Sequence, residues 1–236
     1  MTTRIDEIAD RIYRISTAVP PGPEMPPGFT FNQFLILDDE PLLFHTGMRR
    51  IFPLVRDAVA RVMPAEKLRW ISFSHHESDE DGALAEWLAA APQAQVLCGR
   101  MNAMYSVADA CDRAPRVLAD GEAVAIGTRR VQWIDTPHVP HGWDAGLLFE
   151  QTTRTLFCSD LFTQPGAEHA PLGAGEIVEP AERMRAMFDY YSNPARAATT
   201  IERLAGFEPA VLAIMHGGAY NGDCSAALRA LAARLA

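Results

Sequence analysis

The sequence has little positive charge and almost no lysine. Lys67 is the sole lysine among 21 basic residues, which stand against 30 Asp and Glu for a formal net charge of −9. A nucleic-acid binder takes its affinity from clustered bases on phosphates, so this balance argues against one. Arginine used in place of lysine reads as genome composition rather than mechanism. No apolar run approaches the roughly 20 residues that cross a bilayer. The opening MTTRIDEIADRIYRIS alternates charged and apolar residues, unlike the apolar stretch of a signal peptide. A cytoplasmic location and no membrane partner are therefore expected. The four cysteines, Cys98, Cys111, Cys158 and Cys224, form no CxxC pair. That excludes zinc ribbons, rubredoxin-type iron sites and thioredoxin-like motifs, and leaves the cysteines as core residues in a reducing compartment. Internal repeats, low-complexity blocks and a Gly-rich phosphate loop are also missing.

What is present is a core-forming composition. With 236 residues and 48% hydrophobic content, the chain is expected to fold as one α/β domain over 1–236, and disorder is excluded. Strand-like runs lie at Phe31–Leu37, Leu42–His45, Leu68–Ser72, Gln95–Cys98, Arg129–Asp135, Ala145–Glu150, Thr155–Cys158 and Ala210–Met215. Helical patterns lie at Arg50–Val62, Ala83–Ala90, Met101–Ala110, Glu182–Tyr191, Ala195–Leu204 and Ser225–Leu235. Two sheets, or one large mixed sheet, with helices outside is the natural reading. Pro20–Gly28 (PPGPEMPPG) reads as a rigid extended loop.

Four apolar runs end in residues that hold metals. After Ser72 comes Ser74-His75-His76-Glu77-Ser78-Asp79-Glu80-Asp81-Gly82. On an extended backbone, residues i and i+2 share a side, so His75 and Glu77 can share one ion while Asp79 and Glu80, past the turn, reach a second. His76 then points away, as a packing residue or one that supports a ligand from behind. Asp135-Thr136-Pro137-His138-Val139-Pro140-His141-Gly142-Trp143-Asp144 follows a second strand. Asp160 ends a third and His216 a fourth. Side chains of this kind at the carboxyl ends of strands mark an active-site edge. His138, Asp135 and Asp144 are candidates to orient ligands from behind. His45 and His169 lack supporting spacing, and Trp143 and Tyr105 either line a pocket or fill core.

The pattern resembles the metallo-β-lactamase fold, and within it the flavodiiron branch, most of all the stand-alone oxygen-binding diiron proteins. The residues carrying the resemblance are His75-x-Glu77-x-Asp79, His141, Asp160 placed 19 positions later, and His216, with TPHVPHGWDAG around His141. It spans the chain from about residue 5 to the C-terminus. It implies an αββα sandwich of two mixed β-sheets flanked by helices, with the site at the edge between them. One iron would take His75, Glu77 and His141, and the other Asp79 and His216, with Asp160 bridging. Glu80 departs from the pattern, since most of the superfamily places a histidine there; it ligates, hydrogen-bonds to a ligand or leaves the position to water.

Charge counting separates the chemistries. Zinc hydrolases of this fold use about five His and two Asp, which leaves excess positive charge to polarise a substrate. Here Glu77, Asp79, Asp160 and, if it ligates, Glu80 nearly neutralise two ferrous ions, a composition that favours iron, with manganese or zinc as alternatives. The first expectation is a non-haem diiron protein that binds dioxygen as a sensor or carrier. The second is an oxygen or nitric oxide reductase served by a separate electron donor, and the third a dimetal hydrolase. No flavodoxin or rubredoxin domain, and so no bound FMN, is expected within these residues; a signalling partner remains an alternative to a donor. Homodimerisation is implied by the resemblance alone.

Overall fold

Period-two alternation divides each strand's side chains between two faces, and in this chain both faces are apolar, so each sheet needs cover on both sides. In the computed structural model, which describes residues 1–23 and 25–236, Phe34 and Ile36 point one way into a buried cluster with Phe44, Trp133, Leu148 and Phe157. Leu35 points the other way, into a cluster with Val55, Ile71 and Trp87. Leu147, Phe149 and Leu156 face a third cluster with Ile201, Leu204, Leu228 and Leu231. Three apolar layers separate four structural layers, which makes an αββα sandwich.

The first sheet runs in chain order: β1 (Thr2–Ala9), β2 (Ile12–Val19), β3 (Phe29–Ile36), β4 (Leu42–Phe44), β5 (Trp70–Ser72), β6 (Gln95–Gly99) and β7 (Arg116–Leu118). It is antiparallel as far as β4 and parallel from there. Helices α1 (Phe52–Val59) and α2 (Leu84–Ala90) cover its outer face. The predicted helix over Met101–Ala110 is broken into α3 (Arg100–Asn102), a wider π turn over Ala103–Val107, and α4 (Ala108–Ala110).

The second sheet is built from β8 (Ala123–Ala125), β9 (Arg130–Asp135), β10 (Gly146–Glu150), β11 (Thr155–Phe157), β12 (Leu172–Gly173), β13 (Val211–Ala213) and β14 (Ala219–Tyr220). Its spatial order is β12-β14-β13-β11-β10-β9-β8. Its outer face is covered by α5 (Val178–Phe188), α6 (Pro194–Ala205) and α7 (Cys224–Leu235). Pro194 presets the first turn of α6 and Asn193 caps it by accepting from the Arg196 amide at 3.1 Å; Asp223 caps α7 in the same way at 2.9 Å.

One element was not anticipated and one expectation needs correction. The charged–apolar alternation of the N-terminus is itself a hairpin: Thr2–Glu7 pair with Tyr13–Ala18, and Arg11 makes the turn at φ 56°. The Pro20–Gly28 segment is not simply extended, because the Met25 carbonyl accepts from both Gly22 and Gly28 amides, at 3.1 and 2.9 Å. Glu24, within that segment, lies outside the described residues.

Candidate metal centre

The strands β5, β9, β11 and β13 deliver the segments carrying His75, His141, Asp160 and His216 to one edge of the sandwich. The loop after β5 is held by its own main chain and by the sheet beside it. Glu80 and Asp81 amides both donate to the Glu77 carbonyl, at 3.0 and 2.9 Å, closing a turn. Gly82 sits so close that a Cβ would lie 2.2 Å from the Ser78 oxygen, which only glycine permits. Asp144 accepts from the His76 amide at 2.9 Å and from Asn102 at 3.1 Å. The Gly146 amide donates to the Ser74 carbonyl at 3.1 Å, so β10 is tied directly to the loop.

Donor atoms converge from these segments. His75 Nε2, His141 Nε2 and Glu77 Oε2 stand 3.0–3.1 Å from one another. Asp160 Oδ2 lies 3.6 Å from both imidazole nitrogens, and the four residues share a space within which all donor atoms lie inside 4.8 Å. The other oxygen of the same carboxylate, Oδ1, lies 3.1 Å from His216 Nε2, which is in turn 3.4 Å from Asp79 Oδ2. Asp160 therefore stands between two donor groups. The rings are oriented from behind: His141 Nδ1 donates to the Tyr190 carbonyl at 3.0 Å and His216 Nδ1 to the Thr30 carbonyl at 2.8 Å, which leaves each Nε2 lone pair facing the centre.

Electrostatics within the cluster are strong. Hydrogen bonds from His141 and His75 bring the Glu77 carboxyl down to about 2. Burial pushes Asp79 up to about 6 against the pull of His216. Burial would also raise Asp160, but the His216 hydrogen bond and the neighbouring imidazoliums outweigh it and hold this carboxyl well below its usual range. Burial disfavours the charged His75 ring, yet Glu80, Glu77 and Asp160 raise it to about 10; His216 rises to about 9 by the Asp160 hydrogen bond and the Asp79 charge. Without a cation, protons occupy this acidic cradle.

The remaining candidates fall elsewhere. Glu80 is fully buried but turned under His75: Oε2 accepts from the His75 amide at 2.9 Å and lies 3.3 Å from its Nδ1, while Oε1 accepts from the Ser159 hydroxyl. It is outside the convergent group, and the expectation of Glu80 as a ligand is corrected to a brace behind one. Asp144 holds the His76 main chain rather than a histidine ring, and Asp135 accepts from the Trp133 indole at 2.7 Å, away from the centre. His138 has a left-handed backbone (φ 67°) and no donor atom in the cluster. The His76 ring is exposed and bonded to Asp81 at 2.8 Å. Tyr105 and Trp143 are each half exposed and pack on each other, 5.3 Å between centroids, so they are not core. His45 is buried beneath Glu80, and His169 bonds to the Gly166 carbonyl.

The cavity over the donors, about 410 Å³, has a rim that sequence reasoning missed. Phe29, Phe31, Met48, Met184, Phe188 and Tyr190 surround it. Phe29 stacks on the His216 ring at 4.4 Å, and Phe31 meets it edge-on at 5.5 Å. The only sequence signal was the spacing of Phe29 and Phe31 on one face of a strand.

A family model described as ODP family beta lactamase matches residues 29–217. The chain belongs to that family. Among its relatives, this ODP-family chain is 26% identical over 206 residues to the rubredoxin-oxygen oxidoreductase of Megalodesulfovibrio gigas, covering 84% of the chain and 50% of the relative. It is 27% identical over 178 residues to the nitric oxide reductase of Moorella thermoacetica, covering 70% and 41%. The fold matches the solved rubredoxin oxygen:oxidoreductase from Desulfovibrio gigas with a TM-score of 0.85 at 24% identity, over 98% of this chain and 61% of that one. It matches the flavodiiron core of Flv1 from Synechocystis with a TM-score of 0.86 at 18% identity, over 99% and 61%. The chain thus spans half or less of the length of these curated relatives. No helix among the described residues is long and apolar enough to cross a membrane.

Proposed function

We propose that this chain is a diiron module that reduces dioxygen or nitric oxide with electrons from a flavin-bearing donor. The observation that carries this reading is the placement of Asp160, whose two oxygens face two separate donor groups. A fit to metal is supported by its Oδ2, which is buried without a hydrogen-bond partner among the described residues, a costly state that a cation relieves. Donor atoms about 3 Å apart also match neighbouring ligands on one ion held at about 2.1 Å. His75, Glu77 and His141 would hold one ion and His216 and Asp79 the other, with Asp160 shared. Three carboxylates against three imidazoles suit iron better than zinc. Two iron ions would supply the electrons and the open coordination positions for a diatomic ligand.

The protein's own groups do the rest. Phe29, Phe31, Met184 and Phe188 make an apolar entrance that admits a small neutral molecule and holds bulk water back. Tyr190 positions His141 through its carbonyl, and Thr30 positions His216. The naming of relatives as an oxygen oxidoreductase and a nitric oxide reductase supports turnover over simple binding, reversing the order of preference drawn from the sequence. Dioxygen sensing is the second reading, since a sensor would use the same residues.

The test is consumption of dioxygen and of nitric oxide by iron-loaded protein with a reduced flavoprotein as surrogate donor. Many turnovers per site are expected for at least one gas. One equivalent taken up without turnover would assign the protein to sensing, and iron-free, zinc-filled protein inert to both gases would sink either reading.

A further inference from the structure

A second cavity lies behind His216, at the open edge of the sandwich, and its chemistry is opposite to that of the metal centre. It measures about 570 Å³ and opens between the inner face of β1–β3 and the loop 166–169. Cross-strand register explains its lining. Arg4 pairs with Ser16, Asp6 with Arg14 and Ala18 with Thr30, so these side chains share one face. At this edge that face meets a cavity instead of the second sheet.

Arg14 is the unusual group. It is 2% exposed, yet its one hydrogen bond among the described residues runs from Nη2 to the Gly217 carbonyl at 2.6 Å. Its buried Nε–H has no partner among those residues. A guanidinium presents five donors and does not lose its charge at ordinary pH, so leaving it this way is costly. Asp6 supplies some compensation, but burial outweighs it and draws Arg14 down to about 10. Arg4, exposed at the mouth, adds a second positive charge; Glu168 is the acid on the opposite wall. Ser16 and Thr30 line the same space, while Ala18, Pro20 and Pro27 make a rigid apolar side.

We propose that this cleft binds a small organic anion, its carboxylate or phosphate group between Arg14 and Arg4 and its apolar body against Ala18 and the prolines. The two shared requirements, a planar fork for oxygens and an apolar shelf, are both met, and the volume suits a metabolite-sized ligand. The site also has a short line to the metal centre. Arg14 and Asn32 both hold the Gly217 carbonyl, the latter at 2.8 Å, and the Gly217 amide donates to Thr30 Oγ1 at 2.8 Å. Thr30, which lines the cleft, takes the Nδ1–H of His216 on its carbonyl. A bound anion that draws on Arg14 therefore acts on the residue beside His216, as an effector.

Calorimetric titration of the metal-stripped protein with phenyl phosphate and with phenylacetate tests this without relying on the iron assignment. One saturable site is expected for at least one probe, and which probe binds assigns the phosphate or the carboxylate. R4Q, at an exposed position, should weaken binding about tenfold, and A18L, which fills the shelf, should abolish it while circular dichroism stays unchanged. No saturable binding of either probe, or equal binding by wild type, R4Q and A18L, would overturn the site. The probe should also shift iron affinity, and iron the probe's affinity, by one common factor. Binding with no such shift would overturn the effector role.

Discussion

The two donor groups on either side of Asp160 are unequal. His75, Glu77 and His141 bring three atoms to within 3.0–3.1 Å of each other, and Glu77 and His141 are partly open, with side chains 50% and 29% exposed. His216 and Asp79 are farther apart, at 3.4 Å, and nearly closed, at 7% and 13%. The first group has three donors beside the shared carboxylate and is accessible; the second is buried and has only two. Glu80, the residue positioned in sequence to complete it, faces the opposite way. If the two groups hold ions as proposed, the second position would be the weaker one, with fewer protein donors and a greater dependence on Asp160.

The largest expected effect comes from removing what both groups share. Asp160→Asn should drop iron from about two per chain to below one, because ion binding at each position depends on that charge. Metal analysis after anaerobic reconstitution reads this, and two retained ions would contradict the bridging role. Next come the single-group changes. His216→Ala should empty the second position alone and leave about one iron per chain, whereas His141→Ala should weaken the first by about 10–100-fold without abolishing it, since three donors remain. If His141→Ala lost both ions and His216→Ala neither, the inequality would run the other way.

Glu80→His probes the brace. The substitution removes the acceptor for the His75 amide and for the Ser159 hydroxyl. A loss of about 1–3 kcal/mol in stability is expected, read as a lower Tm, with iron content retained. A rise in iron affinity at the second position together with an unchanged Tm would show that position 80 faces the ions after all.

A smaller effect is carried by pH. An unfolded histidine releases its proton near 6.5, while His75 and His216 in the metal-free protein hold theirs to about 10 and about 9. Their contribution is present in full below about pH 6.5 and is lost as the pH rises through 9 and 10. Melts of metal-free protein should fall across that window, and iron affinity should rise across it as protons cease to compete. Flat melts would mean that the cradle is already neutral without metal.

The gathering of these side chains at one edge was largely legible in the sequence, for a physical reason. Metal-competent side chains directly after apolar strands have few places to go, and four such segments point to one edge. The i, i+2 argument put His75 and Glu77 on one side, where their donor atoms meet, and turned His76 away from them, though its ring is exposed and bonded to Asp81 rather than packed. It stopped working at the turn closed on the Glu77 carbonyl, beyond which Asp79 turns inward and Glu80 folds beneath His75. Asp144 was unreadable because its partner, the His76 amide, follows from tertiary placement, whereas the partner of Asp135, the Trp133 indole, is its same-face neighbour two residues back on β9 and was overlooked. The cavity rim draws on β3, α5 and the segment after it, which no local spacing joins. The N-terminal hairpin was readable but its alternation was used only against a leader sequence, and with it the arginine-lined cleft went unseen.

The central claim is a pair of unequal iron positions bridged by Asp160. Mössbauer spectroscopy of protein reconstituted anaerobically with iron-57 tests it most directly. About two irons per chain in two distinguishable environments of equal weight are expected, one of them absent from His216→Ala. A single environment with one iron per chain, unaltered in His216→Ala, would contradict it.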